Sequence, residues 1–141
     1  MAGKSLSRQN KAALPDSEKI TINIGFVDLG QIDLLVAESF YANRSDFIRA
    51  AIRQQLLQHG ESLRQAVARK TLMLGLQHFT RADLERVRES GQKLQVKVLG
   101  LTSIASDVTP ELALATIESI LVLGALNASA EVKAALTERM Q

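Results

Sequence analysis

Between residues 19 and 26 the side chains alternate one for one. Ile20, Ile22, Ile24 and Phe26 are interleaved with Lys19, Thr21, Asn23 and Gly25. A period of two marks an extended strand with one apolar and one polar face. Such a strand has nothing to rest on by itself, so the pattern calls for a partner strand.

Past the strand the period lengthens. Asp28 and Gln31 have capping-box spacing, and Ile32, Leu35, Val36 and Phe40 recur as one helical face, which predicts a helix over about 29–41. A second helix is expected in "YANRSDFIRAAIRQQLLQHG", with Asn43 in a left-handed turn, Ser45 as N-cap and Gly60 as stop. Phe47, Ile48, Ala51, Ile52 and Leu56 form its stripe, and a short basic helix restarts at Ser62.

From about residue 72 the texture becomes repetitive. A displacement of 24 lays Val98, Leu99, Gly100, Val108 and Leu112 on Val122, Leu123, Gly124, Val132 and Leu136, and Asp107 on Glu131. A fainter copy starts at Leu74-Gly75-Leu76 and needs a one-residue gap. Each copy reads as a short apolar strand ("LMLG", "VKVLG", "ILVLG"), a turn and a capped helix, with Thr80, Ser106 or Asp107, and Ser129 as candidate caps and Pro110 in a first turn. In period and alternation these units resemble leucine-rich repeats, although the Asn ladder of that class is missing, and they imply parallel strands covered by helices. The last strand, "ILVL" at 120–123, is apolar on both faces, so Ile120 and Val122 are candidate oligomerisation residues at an edge that would give a tetramer or open filament.

Charge refines the division. The net charge is +2, but residues 61–97 carry 8 basic and 4 acidic groups while 98–141 carry 2 and 5, so the last third is a poor surface for nucleic acid. The absence of Cys removes disulfides and thiolate metal sites. His59 and His78 have no acid or nucleophile at catalytic spacing, and no phosphate-binding glycine motif occurs. The expectation is a protein that is not an enzyme, with no cofactor, no metal and no membrane segment, placed in the cytoplasm at the nucleoid.

The order strand, helix, turn, helix over residues 19–58, with "KITINIG", "QIDLLVAE" and "NRSDFIRAAIRQQL", resembles the ribbon-helix-helix family of DNA-binding proteins. Gly25 stands where many relatives have Pro, and Phe26 and Val27 follow where polar residues are common. The resemblance implies an intertwined homodimer through an antiparallel two-stranded ribbon that enters the major groove of double-stranded DNA. Ile20, Ile22 and Ile24 would face the helices of the dimer. Lys19, Thr21 and Asn23 would read base edges, while Arg44 and Ser45 would grip phosphate together with Lys4, Arg8 and Lys11 of a basic arm.

The expected fold class is α+β: arm 1–17, ribbon-helix-helix domain 18–60, connecting helix 61–71, and a parallel βα-repeat domain 72–141 for oligomerisation or partner binding. The function this implies is a sequence-specific regulator, a repressor acting as a dimer or higher oligomer. Two alternatives are an antitoxin autorepressor whose C-terminal part binds a toxin, and a polymerising DNA-organising or partition scaffold.

Overall fold

The computed structural model describes residues 17–141. It is a mixed α/β chain that divides into two compact units, one spanning residues 19–66 and the other built on 67–141. Among the described residues no helix is long and apolar enough to cross a membrane.

In the N-terminal unit, residues 19–25 belong to no helix or strand, and helix α1 runs from Phe26 to Ala37. It starts three residues earlier than the expected position 29, because Gly25 rather than the Asp28–Gln31 pair occupies the cap. Its end is a left-handed cap at Ser39, φ 67°, where Phe40 N–H donates to Leu35 O and Ser39 N–H to Val36 O. This bond pair ends the helix short of Phe40 and supplies the reversal that had been assigned to Asn43. Asn43 instead is extended (φ −164°) and caps helix α2, Arg44–Gln58, by accepting the Asp46 N–H at 2.8 Å. Ser45 is therefore inside the helix rather than its cap. Gly60 does not end the helical run either: helix α3 spans Gly60–Lys70, with Leu63 N–H donating to His59 O.

The C-terminal unit repeats one device. Strand β1 (Met73–Phe79), helix α4 (Arg81–Ser90), strand β2 (Leu94–Ile104), helix α5 (Pro110–Thr116), strand β3 (Ile117–Asn127) and helix α6 (Ala130–Leu136) follow in turn, ending in a short 3-10 turn, Thr137–Arg139. The strands form one parallel sheet in the order β1-β2-β3, and a helix in each connection is what parallel pairing requires. The register matches the sequence repeat: Val98, Leu99 and Gly100 pair with Val122, Leu123 and Gly124, a displacement of 24, and Leu74-Gly75-Leu76 pair with Leu99-Gly100-Leu101, a displacement of 25. The strands are longer than their short apolar motifs suggested. Thr80 and Ser129 cap α4 and α6, but α5 is capped by Thr109, whose hydroxyl accepts the Leu112 N–H, because Pro110 takes the first helical position and leaves Ser106 and Asp107 in the preceding turn.

Helices cover one face of this sheet. Leu84, Val96, Val98, Val108, Leu112, Ile117, Ile120, Val132 and Leu136 form a continuous aliphatic core. On the other face, the rows Leu74–Leu99–Leu123 and Leu76–Leu101–Ala125 lie side by side, with Leu74 71 %, Leu76 56 % and Leu123 46 % exposed.

A glycine row crosses the sheet at Gly75, Gly100 and Gly124, each with positive φ (125°, 143° and 124°). A Cβ on Gly100 would lie 2.1 Å from Gly75 O, and one on Gly124 would lie 2.0 Å from Gly100 O. No side chain fits at either position. Gly100→Ala is expected to destabilise the C-terminal unit by at least about 3 kcal/mol, as left-handed strain and the backbone clash add, read as a loss of thermal stability. Thr102 is fully buried and its hydroxyl has no hydrogen-bond partner. Thr102→Val should accordingly leave denaturant stability unchanged or raise it by about 1 kcal/mol, and a clear loss would show that the hydroxyl is satisfied.

Candidate nucleic-acid interface

The N-terminal unit is short of core. Ile32 is its only buried apolar side chain among the described residues, whereas Ile20 is 75 %, Ile22 66 %, Phe26 92 % and Phe40 71 % exposed. Ile24 is half-buried, and Ile52, Leu56 and Leu57 of α2 are also exposed. Lys19, Thr21 and Asn23 are exposed alongside the isoleucines, and the segment pairs with no strand among the described residues. The antiparallel ribbon expected from the sequence is therefore not formed within one chain, whose sheet is parallel and lies C-terminal. The physical reason is stoichiometric, since a two-stranded ribbon built from one strand per chain needs two chains.

The junction between the two helices is held more firmly. Arg44 donates from Nε and a terminal nitrogen to the two carboxylate oxygens of Asp33, at 2.7 and 2.8 Å, in a two-pronged pair that ties the start of α2 to α1. The hydrogen bond from Arg44 holds the Asp33 carboxyl below its usual range. Tyr41 packs edge to face on Phe47 with ring centres 5.0 Å apart. Asp46 turns its carboxylate back to accept the Ala42 N–H at 2.9 Å.

This arrangement sorts the expected phosphate ligands. The Arg44 guanidinium is engaged by Asp33, which offsets part of its charge and holds it at the helix start. Ser45 sits in the exposed first turn of α2, where the Arg44 and Ser45 amides have no acceptor within the helix and the dipole favours an anion. Lys4, Arg8 and Lys11 lie outside the described residues. Ile120 is buried in its own core and bridged at its edge by Met140, so its side chain is not free for another copy, whereas Val122 is only half-buried.

The sequence profile of the ribbon-helix-helix transcriptional regulator family matches residues 15–133. The chain belongs to this family. The match extends well beyond residues 19–58 and takes in all three strands of the C-terminal sheet. Neither the curated proteins nor the solved structures compared with the chain gave a match. Membership makes the chain a DNA-binding regulator of transcription in its family role.

Asp33 is the residue that sequence reasoning missed in this ribbon-helix-helix unit. Eleven positions separate it from Arg44, and on an amphipathic helix an exposed acid looks like any other solvated one. Its lowered folded pKa means that the pair stabilises above the ordinary carboxyl value of 3.8 and is lost as pH falls through the lowered value. Asp33→Asn should therefore lower the melting temperature at pH 7, and the gap to the wild type should close once the solution is more acidic than the folded Asp33 pKa. A gap that persists unchanged in strong acid would show that the carboxylate charge is not what ties the helices.

Proposed function

We propose that the chain is a sequence-specific repressor that acts as a homodimer on double-stranded DNA. Two copies of residues 19–25 pair antiparallel, placing Ile20, Ile22 and Ile24 against the four helices of the dimer and Lys19, Thr21 and Asn23 in the major groove. The observation that carries this reading is the N-terminal unit with one buried apolar side chain and a row of exposed isoleucines, a surface that only association can cover. The free amides at the start of α2, with Ser45, receive a phosphate on either side of the ribbon. Repression follows from occupying a promoter, and the C-terminal unit links dimers to one another.

In this division of labour Lys suits guanine acceptors and Asn suits adenine, each good bidentate contact giving roughly 1–3 kcal/mol of discrimination. The arm cations add contacts that are indifferent to sequence. A folded C-terminal unit does not favour the antitoxin reading, in which a flexible tail orders on its toxin.

Three substitutions in the full chain separate these roles. Ile22→Lys should abolish both the dimer, by light-scattering mass, and binding to any duplex. Asn23→Ala should keep the dimer and relax base preference at one position of the selected site. Lys11→Ala should weaken binding to all duplexes alike and flatten the slope of log affinity against log salt by about 0.9, one phosphate's worth. Identical effects of the last two changes would refute the split between reading and gripping.

A further inference from the structure

The sheet of the C-terminal unit has two outer edges among the described residues, that of β1 and that of β3. An open edge offers unpaired N–H and C=O groups to any strand that fits. The β3 edge is only partly open. Met140 bridges Ile120 in the parallel sense, and Gln141 N–H donates to Ile120 O at 2.9 Å. Met140 and Gln141 thus cover the beginning of the strand, and from Val122 onward this edge has no bridge among the described residues.

That stretch has the length and register of β1. Extending the pairing that sets Gly75 on Gly100 and Gly100 on Gly124 would set Gly75 of another copy beside Gly124. Met73 of that copy then falls beside Val122, Leu74 beside Leu123, Leu76 beside Ala125, and Phe79 beside Ala128.

Gly75 supplies an independent observation. Its φ of 125° repeats the inner rungs, yet the position its Cβ would take has no atom within 4 Å. At Gly100 and Gly124 the corresponding space holds the carbonyl of the preceding glycine. By the same repetition, Gly124 presents its own carbonyl at the far edge with nothing beyond it in the sheet. One edge therefore lacks the carbonyl that the other edge offers. The exposed Leu74 and Leu76 on one side and Leu123 on the other would complete the apolar rows across such a junction.

We infer that β1 of one copy docks in parallel on β3 of another, Gly75 against Gly124, so that the C-terminal sheets join head to tail. This rests on the reading of the C-terminal unit as the part that links dimers, and it names the strands that do so. A contact of this kind uses two different surfaces and does not close on itself. Combined with the two-fold ribbon, it would chain DNA-bound dimers into an open array.

The chain has no Cys, so engineered thiols are unambiguous. Leu74→Cys and Leu123→Cys are both at exposed positions. Within one copy they are two strand spacings apart, about 9–10 Å, too far for a disulfide, but across the proposed junction they are neighbours at about 5 Å. Mild oxidation of the mixed full-length single variants is expected to give 74–123 disulfides, identified by peptide mass, and the double variant a ladder of covalent oligomers. Disulfides of 74 with 74 only, or no disulfides, would overturn the inference.

Leu74→Lys in the full chain should reduce the light-scattering mass by roughly two-fold or more, to that of a dimer, while duplex binding in low salt is retained. A wild-type chain that never exceeds a dimer, with or without DNA, would also overturn head-to-tail docking and leave the DNA-binding reading intact. A chain that assembles through 74–123 but neither dimerises through its ribbon nor binds duplex would do the reverse.

Discussion

Burial is the constraint on which the N-terminal half of this protein depends. Two amphipathic helices and an extended segment with alternating isoleucines cannot enclose their own aliphatic side chains, because two helices meet along a single seam and leave the remaining faces open. Ile32 alone is sealed, while Ile20, Ile22, Phe26, Leu34 and Leu56 stay largely in water. Whatever covers these side chains stabilises the folded unit by mass action. What each chain settles by itself is the angle between its helices, through the Asp33–Arg44 pair and the left-handed turn at Ser39. Such a pair, exposed on both sides, contributes little to stability, but its two-pronged geometry fixes where the amides at the start of α2 point.

The C-terminal half solves a different problem. A small parallel sheet is buried on its helical face and held together by strands that approach closely at the glycine row, where a carbonyl occupies the space of a side chain. The chain end is tied in by Arg139, which donates to Leu114 O and to Ile117 O, the latter at 2.7 Å. Those carbonyls need an external donor, because α5 passes into β3 without an intervening turn. The charge that secures the last turn of the protein is therefore spent on the backbone and not on another side chain.

How much of this was legible in the sequence follows from which interactions are local. The caps Thr80 and Ser129 and Pro110 at a helix start are local, and the 24-residue repeat predicted the pairing of Gly100 with Gly124 because identical units stack in register. The two-residue period of 19–26 is local too, but residues 19–25 form no strand and Phe26 opens α1. The boundaries that moved were decided by backbone bonds that leave no mark on composition. Ser39 took the left-handed turn where Asn43 was the better candidate by propensity, since the Phe40 N–H to Leu35 O bond fixes the reversal there. Asn43, freed from the turn, became the cap. In the candidate interface, the roles of Lys19, Thr21 and Asn23 come from the family resemblance, whereas the partner of Arg44 was not legible because it sits on another helix, eleven positions upstream. The cover on the Ile120 edge was not legible for a similar reason, since it comes from residues 140 and 141.

The two halves differ in the symmetry their unsatisfied surfaces allow. A strand that pairs antiparallel with its own copy makes an isologous contact, which is complete at two chains. A parallel sheet cannot do this along its edges, because its two edges are different: on β1 the glycine lacks a neighbour, and on β3 the neighbouring groups face outward beyond the short cover of Met140 and Gln141. Any contact that satisfies one edge with the other repeats the same unmet edge one copy further on. In the proposed assembly, closing the first surface would set the unit that binds DNA, and leaving the second open would set how many such units act together. A weak edge contact would be sufficient for that purpose, since dimers held on neighbouring sites would meet at high effective concentration, and the sheet edges would convert proximity on the DNA into cooperative occupancy.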